Sequence, residues 1–96
     1  MSKEERILTL HPQGKNGVHI LKRRYDEVKA FILGKLEVHR QISYQRISDL
    51  AEEELGPTFD GKVAWYVVSV KLDLEARGII ERVPKTSPHE IRMKDS

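Results

Sequence analysis

The chain contains no cysteine among its 96 residues. That excludes a disulfide framework, thiolate metal ligation and a cysteine nucleophile. Aromatic residues make up only 6% of the chain, which limits the core that one small domain can build and makes an oligomer sharing apolar surface an expectation. No apolar run approaches the length of a membrane span. The opening Met1-Ser2-Lys3-Glu4-Glu5-Arg6 lacks the apolar centre of a signal peptide, so the expected location is the cytoplasm, with no membrane partner. Charge of one sign is also scarce: a third of the residues are charged, yet the net charge is only +2. Residues 1–40 are net basic, 41–56 net acidic and 57–96 nearly balanced. This is far from the dense basic stripe of a strong nucleic-acid binder. The four histidines, His11, His19, His39 and His89, have no metal-ligand spacing, and no pattern pairs a nucleophile with a base. The expectation is a protein that is not an enzyme and holds neither metal nor cofactor.

The most informative stretch is Lys62 to Val83. Val63, Val67, Val70 and Leu74 fall at i, i+4, i+7 and i+11, one stripe of a helix facing a core. A strand reading competes over Val63 to Val70, where valine and aromatic residues favour extended backbone. Helix is preferred because Leu72 to Arg77 contains strong helix formers and Gly78 supplies a stop after Arg77. Ile79 to Val83 and His89 to Met93 then read as a hairpin around the turn Pro84-Lys85-Thr86-Ser87-Pro88.

Upstream, Ile7-Leu8-Thr9-Leu10 is a short apolar run suited to an edge strand or to an arm packed on the body or on a partner. His11 to Gly17 reads as a loop. Lys15 between glycines lacks the Gly-Lys-Ser/Thr ending of a phosphate-binding loop, so an ordinary turn is expected there. Tyr25, Val28, Ile32 and Leu36 mark a first helix, which starts at the basic triplet Lys22-Arg23-Arg24. The triplet opposes the helix dipole. It reads either as a solvated face or as a contact to backbone phosphate. After an extended step at Gln41-Ile42-Ser43, Ser43 caps a second helix from Tyr44 to Leu55, with Ile47, Leu50, Ala51 and Leu55 inward and Glu52-Glu53-Glu54 outward. Gly56-Pro57 breaks the chain. Asp60 or Gly61 is the expected cap of the third helix, and the tail Lys94-Asp95-Ser96 is expected to fray.

Helix, extended step, helix, turn, helix and hairpin together resemble a winged helix-turn-helix domain. The likeness is carried by Ile42-Ser43, by Ile47-x-x-Leu50-Ala51, and by Val70-x-Leu72-x-Leu74-Glu75-Ala76-Arg77-Gly78-Ile79-Ile80-Glu81-Arg82. The sequence also resembles a family of small bacterial winged-helix proteins of unknown function, through Leu10-His11-Pro12-x-Gly14-Lys15-x-Gly17 and Trp65-Tyr66 ahead of Val70 to Gly78. The fold this implies is α+β: residues 1–21 form an extended N-terminal arm and loop, and residues 22–96 form a winged helix with three helices and a C-terminal hairpin wing, the whole being one compact domain.

In the winged-helix class the third helix enters the DNA major groove and the wing follows the backbone or minor groove. The resemblance therefore implies that Lys62, Trp65, Tyr66, Ser69 and Asp73 face double-stranded DNA, with Lys85, Thr86 and Ser87 on the wing and Lys22, Arg23 and Arg24 as further backbone contacts. The third helix departs from a good DNA reader. It lacks exposed Arg or Asn, and Asp60, Asp73 and Glu75 add repulsion. Two functions follow. One is a transcription regulator that binds DNA as a dimer. The other is a protein-interaction module or homodimerising scaffold that uses Trp65 and Tyr66, or the Ile7 to Leu10 arm, as its contact surface. Trp65 and Tyr66 are adjacent and cannot both lie in the core stripe, so one of them is expected at an interface.

Overall fold

The computed structural model describes residues 5–59 and 61–94. Its elements are β1 (Arg6–Leu8), β2 (His19–Leu21), α1 (Lys22–His39), β3 (Gln41–Ser43), α2 (Tyr44–Glu54), α3 (Val63–Ala76), β4 (Ile80–Val83) and β5 (Glu90–Met93). The architecture is α+β, three helices with two small antiparallel sheets. Asp60 and the end of the tail, about which the sequence raised expectations, lie outside the described residues.

Each helix forms where its apolar spacing places it. Tyr25, Val28, Ile32 and Leu36 are the buried residues of α1, a stripe at i, i+3, i+7 and i+11. The Ser43 hydroxyl accepts from the Arg46 amide at 3.0 Å and caps α2. In α3 the stripe Val63, Val67, Val70 and Leu74 is buried, so the helical reading of this valine-rich stretch holds against the strand alternative. Burying each such side chain contributes roughly 1.5–3 kcal/mol before conformational entropy is set against it. Gly78 ends the turn after α3 at φ +74°, with its amide bonded to the Glu75 carbonyl.

The second sheet has the order β3-β5-β4, all antiparallel, with Ile42 paired to Ile91. Ile42, Ile80 and Ile91 point into the core that the three helices share. Lys35 of α1 pairs with Glu54 of α2 at 2.8 Å, so the end of the acidic run on α2 meets a cation from its neighbour.

The segment before α1 is more ordered than a loose arm. β1 and β2 pair in register from Arg6 opposite Leu21 to Leu8 opposite His19. The Thr9 amide then bonds the Val18 carbonyl, and the Thr9 hydroxyl accepts from the Val18 amide. Gly17 is required at this crossing: a Cβ there would lie 1.7 Å from the Thr9 carbonyl oxygen. Ile7 and Ile20 pack onto the core, which attaches the hairpin to the helices.

Candidate functional site

The residues of α3 divide by side. One side faces α1: the Arg24 guanidinium donates to the Tyr66 hydroxyl at 2.8 Å and lies over its ring, and Tyr25 bonds to Asp73. A second side faces α2, where Lys71 lies over the Tyr44 ring. The third side carries Trp65, Ser69, Leu72 and Ala76 at i, i+4, i+7 and i+11, the spacing of the core stripe repeated on the opposite face. Trp65 is 42% exposed; Val68, Ser69 and Leu72 beside it are half-buried. A helix this apolar on nearly every side is one that expects cover.

Part of that cover comes from the chain's own N-terminal segment. Thr9, Leu10, Gly17 and Val18 meet Ser69 and Leu72 along a cleft of about 110 Å³. The Leu10 amide is fixed there by Asp73 Oδ1 at 2.8 Å, while the Leu10 side chain remains 42% exposed and Val18 36%. Leu72 of α3 thus meets Leu10 and Val18 along this cleft, and Trp65 and Val68 lie on the same side of the helix. A wider groove continues past His11 and Leu72 to Glu75, Glu81, Arg82 and Lys94, charges of both signs.

Several expected DNA contacts lie elsewhere. Tyr66, expected on the DNA side, is only 9% exposed and edge-packed between Phe59 and Trp65, so of the aromatic pair it is Trp65 that faces outward. Asp73, also expected outward, is fully buried: it accepts from the Leu10 amide, the Tyr25 hydroxyl and Arg77 Nε. Its position 80° or so from the core stripe turns it toward α1. The Thr86 hydroxyl is taken up by the β4–β5 turn, donating to the Val83 carbonyl at 2.8 Å and accepting from the Glu90 amide at 2.9 Å. Ser69 is half-buried in the cleft against the N-terminal segment.

The remaining candidates are exposed and distributed. Lys62 is the N-cap residue of α3 and uses its carbonyl, not its side chain, to receive the Tyr66 amide. Lys85 occupies the β4–β5 turn at φ +62°, with Ser87 exposed beside it. Lys22 pairs with Asp26 at 2.7 Å, and that carboxylate holds its ammonium above the ordinary lysine value. Arg23 is exposed, whereas Arg24 is drawn inward onto Tyr66. Within this set Arg24 contacts Tyr66, and Tyr66 contacts Trp65.

The sequence alone does not single out Leu10, Val18, Ser69 and Leu72 as one cleft. A signal was present in α3, since Trp65, Val68, Leu72 and Ala76 add an apolar stripe that the core stripe does not need. The meeting of Leu72 with Leu10 and Val18 is long-range and could not be read locally.

A second polar cluster lies between α3 and the β4–β5 hairpin. Lys71, 3% exposed, approaches Glu75 at 3.3 Å, and burial lowers its ammonium from the usual value. His89 stacks on Tyr44 with ring centroids 5.4 Å apart. Burial first, then the charges of Lys71 and Arg82, hold its imidazole below the ordinary histidine value. Among the described residues no group of three or more His, Asp or Glu could hold a metal ion, and no helix is long and apolar enough to cross a membrane.

Residues 6–91 match a family of unknown function, DUF6958, and the chain belongs to that family. No curated protein and no solved structure matches it.

Proposed function

We propose that this family member is a winged-helix protein whose third helix serves protein contact instead of reading DNA. In this reading β4 and β5 are the wing, α2 and α3 the helix-turn-helix pair, and the contact surface is the outward face of α3 with the adjoining Leu10 and Val18. One observation carries the reading: the residues of α3 that a major groove would meet are Trp65, Val68, Ser69 and Leu72, whereas its interior lysine, Lys71, is turned inward against Tyr44 and Glu75. Past Lys62 at its leading end, α3 presents no exposed cation to phosphate and has no Arg or Asn to pair with a base edge, so it gains little from either contact. An apolar surface gains from exclusion of water by another apolar surface.

DNA binding as a transcription regulator is the second reading. It rests on Lys62 at the leading end of α3 and Lys85 on the wing, both exposed. Titration of a labelled random-sequence duplex with the purified protein at low salt separates the two. Absence of binding is expected; binding that weakens with salt and is lost in Lys62→Glu would overturn the protein-contact reading.

A further inference from the structure

We infer that the neutral imidazole of His89 latches the β4–β5 turn to α2, and that proton uptake by this ring in mild acid releases the turn. His89 is the last residue before β5 and touches α2 in two ways. Its carbonyl accepts from the Tyr44 amide, at the first residue of α2, at 3.0 Å. Its ring lies flat on the Tyr44 ring, with centroids 5.4 Å apart and planes 9° from parallel. Thr86 meanwhile closes the turn on itself, through the Val83 carbonyl and the Glu90 amide. His89 thus ties the end of the turn to the helix.

The surroundings of the ring suit it only uncharged. Nε2 is buried and has no hydrogen-bond partner among the described residues. A protonated imidazole is a donor at both nitrogens, so its Nε2–H would be buried without an acceptor, a costly state. The neighbouring charges have the wrong sign as well. From α3 come Lys71, 3% exposed with its ammonium 5.2 Å from the centre of the Tyr44 ring, and Glu75; from β4 comes Arg82. Tyr44 of α2 brings no charge, since burial holds its phenol above the ordinary value. Glu75 is the one acid among these, and Lys71 already approaches it at 3.3 Å. Glu90, next along the chain, is taken up by the Gln41 side chain of β3. A charged His89 would therefore be a third cation beside a single carboxylate.

The docked and released forms differ in proton affinity. Burial first, then Lys71 and Arg82, hold the docked imidazole below the ordinary 6.5, whereas a ring swung into water returns to that value. The form that binds the proton more tightly gains as pH falls, so acid favours release. Release stops at β5, because Ile91 is buried and paired with Ile42 of β3. Lys85 and Ser87, exposed in the same turn, move with it. In the winged-helix reading this turn is the tip of the wing, so the latch changes the wing between neutral and mildly acidic surroundings.

Amide hydrogen exchange of the full chain, read residue by residue by NMR, tests the latch. The probe is the Tyr44 amide, whose partner is the His89 carbonyl. Val70, fully buried in α3, reports on unfolding of the whole chain. Tyr44 protection, corrected for the intrinsic pH dependence of exchange, is expected to lie below that of Val70 and to fall about three- to tenfold from about pH 7.5 to about pH 5. His89→Phe keeps an aromatic ring on Tyr44 and takes up no proton, so its Tyr44 protection should be the same at both pH values. Arg82→Gln, at an exposed position, removes one opposing cation and should show a smaller fall than wild type.

Wild-type Tyr44 protection that matches Val70 at every pH would mean that the turn leaves only when the whole chain unfolds, and would overturn the latch. Protection unchanged between the two pH values would do the same, as would a fall in His89→Phe as large as in wild type. Circular dichroism verifies that the variants fold. Should His89→Phe not fold, Arg82→Gln decides, and a fall equal to that of wild type would overturn the proposal.

Discussion

The hydroxyl of Tyr25 on α1 donates a hydrogen bond to the carboxylate of Asp73 on α3, at the centre of the molecule. Asp73 is fully buried, and its remaining acceptor capacity is used by the Leu10 amide at 2.8 Å and Arg77 Nε at 2.8 Å. One side chain thereby ties the N-terminal hairpin, α1 and the end of α3 together. A buried carboxylate is tolerable only with such a set of donors. Burial first, then the bond to Asp73, pushes the Tyr25 phenol up to about 12, so it remains a donor at any pH at which the protein would be handled.

Tyr25→Phe removes one donor and leaves Arg77 and Leu10 in place, with an expected loss of about 1–2 kcal/mol in unfolding free energy. Asp73→Ala leaves Leu10 and Tyr25 buried without their acceptor and should cost about 3–5 kcal/mol. Urea denaturation of both variants checks the order. An Asp73→Ala protein as stable as the Tyr25→Phe protein would mean that the carboxylate does not tie these elements together.

Two backbone positions should respond in opposite directions. Gly17→Ala forces a Cβ into the Thr9 carbonyl, so the hairpin must shift, and a loss of about 2 kcal/mol or more is expected. Arg40, which follows α1, sits at φ +68°, a region costly for any side chain. Arg40→Gly should therefore stabilise by up to about 1 kcal/mol. Thermal unfolding of the pair is the measurement.

His89 makes stability depend on pH. Its folded value lies below the ordinary 6.5 because burial, Lys71 and Arg82 oppose its charge, with Glu75 opposing them less strongly. As pH falls from about 7 toward 5 the unfolded chain takes up this proton before the folded one does, so stability should fall across that window. In His89→Gln the slope of urea midpoint against pH over the same range should be shallower. An unchanged slope would place the titration elsewhere.

The helices were legible because their stripes are local: Tyr25, Val28, Ile32 and Leu36 in α1, and Val63, Val67, Val70 and Leu74 in α3, can be counted along the chain. The Gly78 stop and the Ser43 cap are equally local. The surface was harder. Asp73 reads as an outward acid until Tyr25, 48 residues away, and the Leu10 amide are known to meet it. Trp65 and Tyr66 are neighbours in sequence, and only Arg24 and Phe59, supplied by other segments, decide that Tyr66 turns inward. The pairing of Arg6–Leu8 with His19–Leu21 likewise depends on a crossing at Gly17 and Thr9 that no short motif announces.

Trp65 is the only tryptophan in the chain and is exposed on α3, so its fluorescence reports on that face. The emission should be followed as random-sequence duplex is added at low salt. The expected result is an emission that duplex leaves unchanged, because α3 does not enter a groove. Quenching or a shift that grows with duplex and is reversed by salt would contradict the assignment of α3 as a protein-contact face.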